Sequence, residues 1–309
     1  MKQNWTATNI PDLTGKIIIV TGANSGIGYQ TALEFARKGA FVWLACRNET
    51  KANAAIQSIL KEVPNAKVKF GPLDLSDLST VKQFAELVKK ESPQLDILVN
   101  NGGAMLLGPR EETKDGFEAT MGTNHLGHFA LTALLIPLLK NSKLPRVVNV
   151  SSIIAKNGVI NMDDFNFINS YSGFQSYANS KLANLLFTVE LQKRADAAGW
   201  NNLVVTVAHP GAAYTNGSQA GGREGTWLGW FLDWMMYFTC QPDFKGAWPS
   251  EYAATAEVVP GGYYGPGSWF GTRGYPTFID YPASAKDETL AEKVWELSEA
   301  KTGIVYRFK

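Results

Sequence analysis

The chain has 309 residues, 45% of them hydrophobic, and a formal net charge of +1. A charge so close to balance leaves no basic surplus for a nucleic-acid partner, and none is expected. Two cysteines, Cys46 and Cys240, cannot staple a chain of this size, and no Cys/His cluster has zinc spacing, so neither a disulfide scaffold nor a metal site is expected.

Residues Met1–Leu13 are polar and lack the apolar run of a signal peptide, which with reduced thiols predicts a cytoplasmic protein. Ile17–Thr21 is an apolar run read as a strand, and Ile27–Lys38 places apolar residues at helical spacing. Strand and helix then alternate. The strands are Phe41–Cys46, Val68–Phe70, Ile97–Asn100, Val147–Val150 and Leu203–Ala208. The helices are Glu49–Val63, Leu78–Lys90, Leu126–Leu139 and Ser176–Ala198. Strands that are apolar throughout are buried on both faces, and the helices between them make the sheet parallel. The expected fold is a doubly wound α/β sheet with helices on both faces.

No linker or repeat divides the chain, so residues 1–309 read as a single domain. Within it, 212–260 is expected to form a substrate lid or extension, and 261–309 a C-terminal strand and tail, with Gly261–Tyr264 as the strand. No stretch reaches the roughly 18 apolar residues of a spanning helix. The aromatic segment Thr226–Cys240 comes nearest but is short and carries Asp233. Its Trp227–Phe238 portion has near-helical apolar spacing, which suits a pocket wall, a subunit interface or a membrane contact alike.

Thr21–Gly28 reads T-G-A-N-S-G-I-G, directly after the first strand and at the opening of the first helix. A phosphate must come close to the free N–H groups of a helix N-terminus, and a Cβ there would block it. Gly22 and Gly26 suit the turn and the approach, and Gly28 suits close packing of helix on strand. A reader of the ribose 2′-hydroxyl would place an acid about 20 residues on. Here Arg47 stands 19 residues after Gly28, with no acid before it. A guanidinium favours a 2′-phosphate, so NADP(H) is expected over NAD(H). Asp74 is placed either to meet an adenine amino group or to cap the next helix. Asn100-Asn101-Gly102-Gly103 follows the fourth strand at the carboxyl edge, where ligands bind in such sheets.

Tyr177 and Lys181 share a helix face at i and i+4. A phenol ionises near pH 10, and a nearby ammonium lowers that value toward the neutral range. Ser151-Ser152 ends the strand before this helix, where a hydroxyl can polarise a carbonyl. Asn124 opens another helix in Thr123-Asn124-His125-Leu126-Gly127-His128-Phe129, and His209-Pro210-Gly211, with Thr215 beyond, follows the sixth strand. His125, His128 and His209 read as packing residues rather than ligands or catalysts.

From about Gly15 to Thr215 these motifs, in this order, resemble the short-chain dehydrogenase/reductase family, in its branch with T-G-x-x-x-G-x-G and Y-x-x-x-K. The details around Cys46-Arg47, Asn124–Phe129 and Ser180–Asn184 are similar to retinol dehydrogenases, WW-domain oxidoreductases and soluble microbial carbonyl reductases. The resemblance implies a Rossmann-type fold. It implies Tyr177 as proton donor and acceptor, and Lys181 as holder of the nicotinamide ribose that also lowers the Tyr177 pKa. It also implies Ser152 as carbonyl orienter and Asn124 as holder of a relay water. It implies cofactor contacts from Gly22, Asn24, Ser25, Gly26, Ile27, Gly28, Arg47, Asn48, Asp74, Leu75, Asn100, Gly102, Thr123, Tyr177, Lys181, Pro210, Gly211 and Thr215. There are two departures: Asn-Asn-Gly-Gly replaces the usual Asn-Asn-Ala-Gly, and 25 residues separate Ser152 from Tyr177, making Ile153–Phe174 a loop by the substrate entrance.

The implied activity is NADP(H)-dependent interconversion of a ketone or aldehyde with an alcohol, acting as a reductase on a bulky apolar carbonyl. A homodimer or homotetramer is the implied assembly. Two alternatives share the pattern: a C=C reductase similar to protochlorophyllide reductase, and a non-catalytic nucleotide-sensing protein.

Overall fold

A computed structural model of the protein describes residues 4–212 and 241–308. The strands are β1 (Ile17–Thr21), β2 (Phe41–Cys46), β3 (Lys67–Pro72), β4 (Ile97–Asn100), β5 (Arg146–Val150), β6 (Val204–Ala208), β7 (Tyr263–Ser268) and β8 (Arg273–Phe278). They form one sheet in the order β3-β2-β1-β4-β5-β6-β7-β8. β1 through β7 run parallel, and β8 pairs antiparallel with β7. The principal helices are α1 (Gly26–Arg37), α2 (Glu49–Glu62), α3 (Leu78–Glu91), α4 (Gly127–Lys140), α5 (Gly173–Ala197), α6 (Asp243–Thr255) and α7 (Glu288–Thr302).

The central strands feed two cores. Ile18, Val20, Val42 and Leu44 face the core beneath α1, α2 and α6. Ile19, Trp43, Leu98 and Val147 face the core beneath α3, α4, α5 and α7. This two-sided burial is why β1 and β2 are apolar without alternation. The N-terminal ends of three strands meet at Asp96, which is 1% exposed. Its carboxylate accepts from Ile17 N (2.9 Å), Lys16 Nζ (3.0 Å), Gln94 Nε2 and Ser142 Oγ (2.7 Å). Its backbone pairs with Ile17 O and Arg146 N.

The C-terminal part holds more than the expected strand and tail. β7 begins at Tyr263, β8 follows it, and α7 docks against α4 and α5 through Phe129, Phe187, Trp295 and Tyr306. The Tyr306 hydroxyl donates to Phe129 O at 2.7 Å. Most of the expected lid, residues 213–240, lies outside the described residues. Its far end, α6, packs against α1 and the sheet, with Ala247, Ala253 and Ala254 buried. No described helix is long and apolar enough to cross a membrane.

The Asp96 cluster generates a stability prediction. Burial pushes this carboxyl up, but the hydrogen bonds from Ile17, Gln94, Ser142 and Lys16 together hold it below its ordinary value. Its contribution is therefore present above the unfolded Asp pKa of about 3.9 and is lost as pH falls through the lower folded value. Asp96→Ala leaves buried donors unpaired and is expected to cost about 2–4 kcal/mol at pH 7 in urea unfolding. The difference from the parent protein should shrink toward pH 3.

Candidate active site

The carboxyl edges of β1, β4, β5 and β6 open into a cavity of about 450 Å³. It is lined by the glycine turn (Gly22, Asn24, Ser25, Gly26, Ile27, Gly28), by Asn101–Met105, by Val150–Ser152, by Tyr177 and Lys181, and by Pro210 and Gly211. Gly22 and Gly26 have φ of 66° and 55°, the left-handed region that glycine adopts without penalty. A Cβ on Gly28 would stand 2.5 Å from Gly22 O and 2.4 Å from Asn101 Nδ2, so this crossing of α1 over the turn accepts no side chain. The turn is tied to its neighbours by Gly22 N–H donating to Ala45 O (2.8 Å) and Asn101 Nδ2 donating to Thr21 O (2.8 Å).

Tyr177 is half-buried at the first turn of α5, whose start is capped by the Ser172 side chain. Burial pushes its phenol up, and a hydrogen bond with Ser152 pulls it down. Sequence reasoning expects Lys181 to lower this phenol; in this structure the hydrogen-bond partner that does so is Ser152. Lys181 is buried, donates from Nζ to Val150 O at 3.1 Å and lies 5.7 Å from the Tyr177 ring centre. Burial lowers it to about 8. Ser152 is buried at the end of β5 and also accepts from Ile154 N at 3.3 Å. Ser151 turns away, donating to Lys181 O at 2.8 Å.

Asn124 sits in a π-turn, Gly122–Leu126, ahead of α4. The wider turn frees backbone groups at such sites. Asn124 O accepts from His128 Nδ1 (3.0 Å) and Asn184 Nδ2 (3.1 Å). Its side chain brackets Ala104, donating to Ala104 O (2.9 Å) and accepting from Ala104 N (2.8 Å). Asn124 Oδ1 and Lys181 Nζ both abut Gly103, at 2.9 and 3.5 Å from the position its Cβ would take.

Behind the cavity runs a buried polar chain. Gly102 N–H donates to Thr21 Oγ1 at 2.7 Å, and Thr21 Oγ1 bonds His128 Nε2 at 2.8 Å. Because the Asn124 carbonyl only accepts, His128 carries its proton on Nδ1 and takes the threonine proton at Nε2. Burial lowers His128 to about 3 and His209 to about 4, so both are neutral at pH 7. His125, lowered by burial to about 4, bonds Ser298 Oγ at 2.8 Å. Among the described residues no group of His, Cys, Asp and Glu side chains is arranged to hold a metal. Cys46 is a buried free thiol, pushed up by burial to about 11.

Other expected cofactor residues fall elsewhere. Asn100 is buried below the cavity, donating to Thr132 Oγ1 and Asn149 Oδ1. Asn101, which sequence reasoning passed over, lines the cavity instead. Asn48 caps α2 through Lys51 N, Leu75 is buried, and Thr123 lies in the π-turn without lining the cavity. Asp74 does not cap α3. Asp77 does, while Asp74 accepts from Ser76 N and Oγ in a local turn. Arg47 follows β2, its side chain 76% exposed, with Nη1 3.9 Å from Asp74 Oδ2. Thr215, Trp227–Phe238 and Cys240 lie outside the described residues. Gly103 could have been found from the Asn-Asn-Gly-Gly run, whereas Ala104 and Met105 carry no sequence signal of their own.

The short chain dehydrogenase family model matches residues 16–224. Retinol dehydrogenase 13 of Homo sapiens is 39% identical over 297 residues, covering 94% of this chain and 86% of that protein. Retinol dehydrogenase 11 of Homo sapiens is 35% identical, covering 96% of this chain and 89% of its own. Among solved structures, an uncharacterized protein from Mycobacterium paratuberculosis superposes with a TM-score of 0.81 at 38% identity, covering 98% of this chain and 99% of its own. A short chain dehydrogenase from Shigella flexneri, solved as a complex with NADP, gives a TM-score of 0.56 at 28% identity, over 70% of this chain and 85% of its own. With glycine turn, Tyr177 and Lys181 converging on one cavity of a doubly wound sheet, the chain belongs to the short chain dehydrogenase family and is an oxidoreductase.

Proposed function

We propose that the protein is an NADP(H)-dependent oxidoreductase that interconverts a ketone or aldehyde with its alcohol, and that it works as a reductase on a bulky apolar carbonyl. One observation carries this reading: Ser152, Tyr177 and Lys181 line the same cavity as the glycine turn. The turn fits a dinucleotide, since two glycines in the left-handed region and the bare Gly28 crossing let a phosphate reach the N-terminus of α1. The bound nicotinamide supplies or accepts the hydride.

The chain's own residues do the rest. Ser152 holds the carbonyl oxygen and stabilises the charge that grows on it. The Tyr177 phenol gives its proton to that oxygen in reduction and takes it back in oxidation. Below about pH 8 the Lys181 ammonium keeps positive charge beside the phenolate that forms, with Nζ abutting Gly103 in the cavity wall. Asn124, abutting the same glycine, is placed to hold a water that returns protons to Lys181. Pro210 and Gly211 wall the nicotinamide end.

The case for NADP(H) rests on Arg47, at the end of the strand whose Ala45 anchors the glycine turn, and on the NADP complex of the Shigella flexneri relative. Retinol dehydrogenases among the relatives support a bulky apolar substrate, and so does the composition of Trp227–Phe238.

Two outcomes test the reading. In a dark assay of NADPH oxidation over retinal, bulky ketones and small aldehydes, at least one bulky carbonyl should be reduced. Tyr177→Phe should lower that kcat by about 10²–10⁴-fold with NADPH binding retained. A Tyr177→Phe variant of parental activity refutes the catalytic assignment. Arg47→Glu should lower kcat/KM for NADPH by about 10–100-fold, the value of one charge-assisted contact, and leave NADH kinetics nearly unchanged. An equal loss with both cofactors would refute the phosphate role.

A further inference from the structure

Helix α5 has a problem of aim. From Ser176 to Gln192 it is buried almost all round, with residues such as Ala178, Leu182, Leu185, Leu186 and Leu191 on every side. A helix buried on nearly every side gets little rotational direction from the hydrophobic effect, which is non-directional, so its direction comes from its buried polar side chains. Yet Tyr177 and Lys181 must point into the cavity.

A polar stripe supplies the direction. Ser176, Ser180 and Asn184 fall at i, i+4 and i+8 on one face, about 100° round the helix from the Tyr177–Lys181 face. All three are buried and all three bond the segment that runs into α4. Ser180 Oγ accepts from Asn124 Nδ2 at 3.0 Å, and Asn184 Nδ2 donates to Asn124 O at 3.1 Å. At the end beside Tyr177, Ser176 Oγ donates to Glu118 Oε2 at 2.5 Å.

Glu118 is 0% exposed, and none of the described ion pairs includes it. Its carboxylate is held by backbone donors instead. Oε1 accepts from Thr120 N (3.0 Å) and Oε2 from Met121 N (2.8 Å), at the start of the turn that carries Asn124. Its own N–H donates to Asn166 Oδ1 at 2.6 Å, which ties in the Ile153–Phe174 loop. Burying a carboxylate is costly unless several strong hydrogen bonds repay it. A neutral side chain could cap this short helix at lower cost, so the charge needs a further reason.

We propose that Glu118 is a positioning residue: through Ser176 it helps set the rotation of α5 and so fixes Tyr177 against Ser152. The proposal rests on the reading of Tyr177 as proton donor. Ser176→Ala removes only the tie and leaves the Thr120 and Met121 bonds intact. Ser176→Thr keeps the hydroxyl and serves as rescue. Glu118→Gln keeps one acceptor but sets an amide N–H₂ against a donor.

The expected result for Ser176→Ala is a fall in kcat of about 10-fold, the scale of a sub-ångström misplacement, with Kd for NADPH within 2-fold of the parent. A loosened Tyr177 loses the Ser152 hydrogen bond that lowers its pKa, so the alkaline limb of kcat for reduction moves to higher pH. Ser176→Thr should restore both, and Glu118→Gln, if it folds, should match Ser176→Ala. The proposal is overturned if folded Ser176→Ala keeps the parental kcat and alkaline limb, if Ser176→Thr fails to rescue, or if kcat and NADPH affinity fall together. The two readings fail differently: an active Tyr177→Phe removes the catalytic assignment itself, whereas an inactive Tyr177→Phe beside an unaffected Ser176→Ala removes only the role of Glu118.

Discussion

Thr21 is the last residue of β1, and its single hydroxyl group joins the two halves of the active site. It accepts the N–H of Gly102 and bonds the ring of His128, whose other nitrogen reaches the carbonyl of Asn124. Thr21, Gly102, His128 and Asn124 are all buried, so each lost bond would leave a polar group without water to replace it. The spacing between the glycine turn and the π-turn is therefore held by directional bonds rather than by side-chain bulk. The neutral state of His128 follows from the same burial and keeps the chain in one protonation pattern across the physiological range.

From that fixed base the rest of the site is assembled in layers. The sheet brings the ends of β4, β5 and β6 beside β1, which sets Gly103, Ser152 and Pro210 around one opening. The π-turn then places Asn124, and α5 places Tyr177 and Lys181. Ser152 matters twice in this arrangement, as a group facing the opening and as the hydrogen-bond partner that opposes the desolvation of the phenol. The desolvated lysine, lowered to about 8, is charged in neutral solution but nearer its midpoint than a free lysine.

Strands β1, β2, β4, β5 and β6 were legible in the sequence because each serves two cores and so is apolar at successive positions, whereas β3 was legible from the alternation of Val68 and Phe70 with lysines. The glycine turn was legible because few residue types satisfy left-handed φ and a close helix crossing together. The chain after residue 212 was harder to read. β7 and β8 carry Gly265, Pro266, Gly267, Gly274 and Pro276, which break the strand pattern, and the antiparallel return depends on pairing rather than on any local period. Asn100 and Asp74 show another limit. Asn100 is bonded inside the sheet while Asn101 lines the cavity, and Asp74 uses one carboxylate oxygen in a local turn, so only the fold decides between neighbours such as Asn100 and Asn101. The hydrogen-bonding stripe on α5 was present in the sequence as Ser176, Ser180 and Asn184. It went unremarked because its partners lie some 50–60 residues earlier in the chain.

The two outer strands of the sheet differ in origin but share a chemistry. β3 carries the exposed Lys67 and ends at Pro72, with Lys69 paired to Glu91 and 5.0 Å from the Trp43 ring centre, while β8 carries Arg273 and Pro276 beside Gly274. Charged side chains and prolines at a border disfavour the addition of another strand, since a proline offers no donor and an incoming chain would have to strip water from the lysines. Both ends of the sheet are thus poor templates for edge-on extension. A protein with so many two-sided apolar strands would otherwise risk stacking into ribbons when crowded, and these few border residues direct any association toward the helical faces instead.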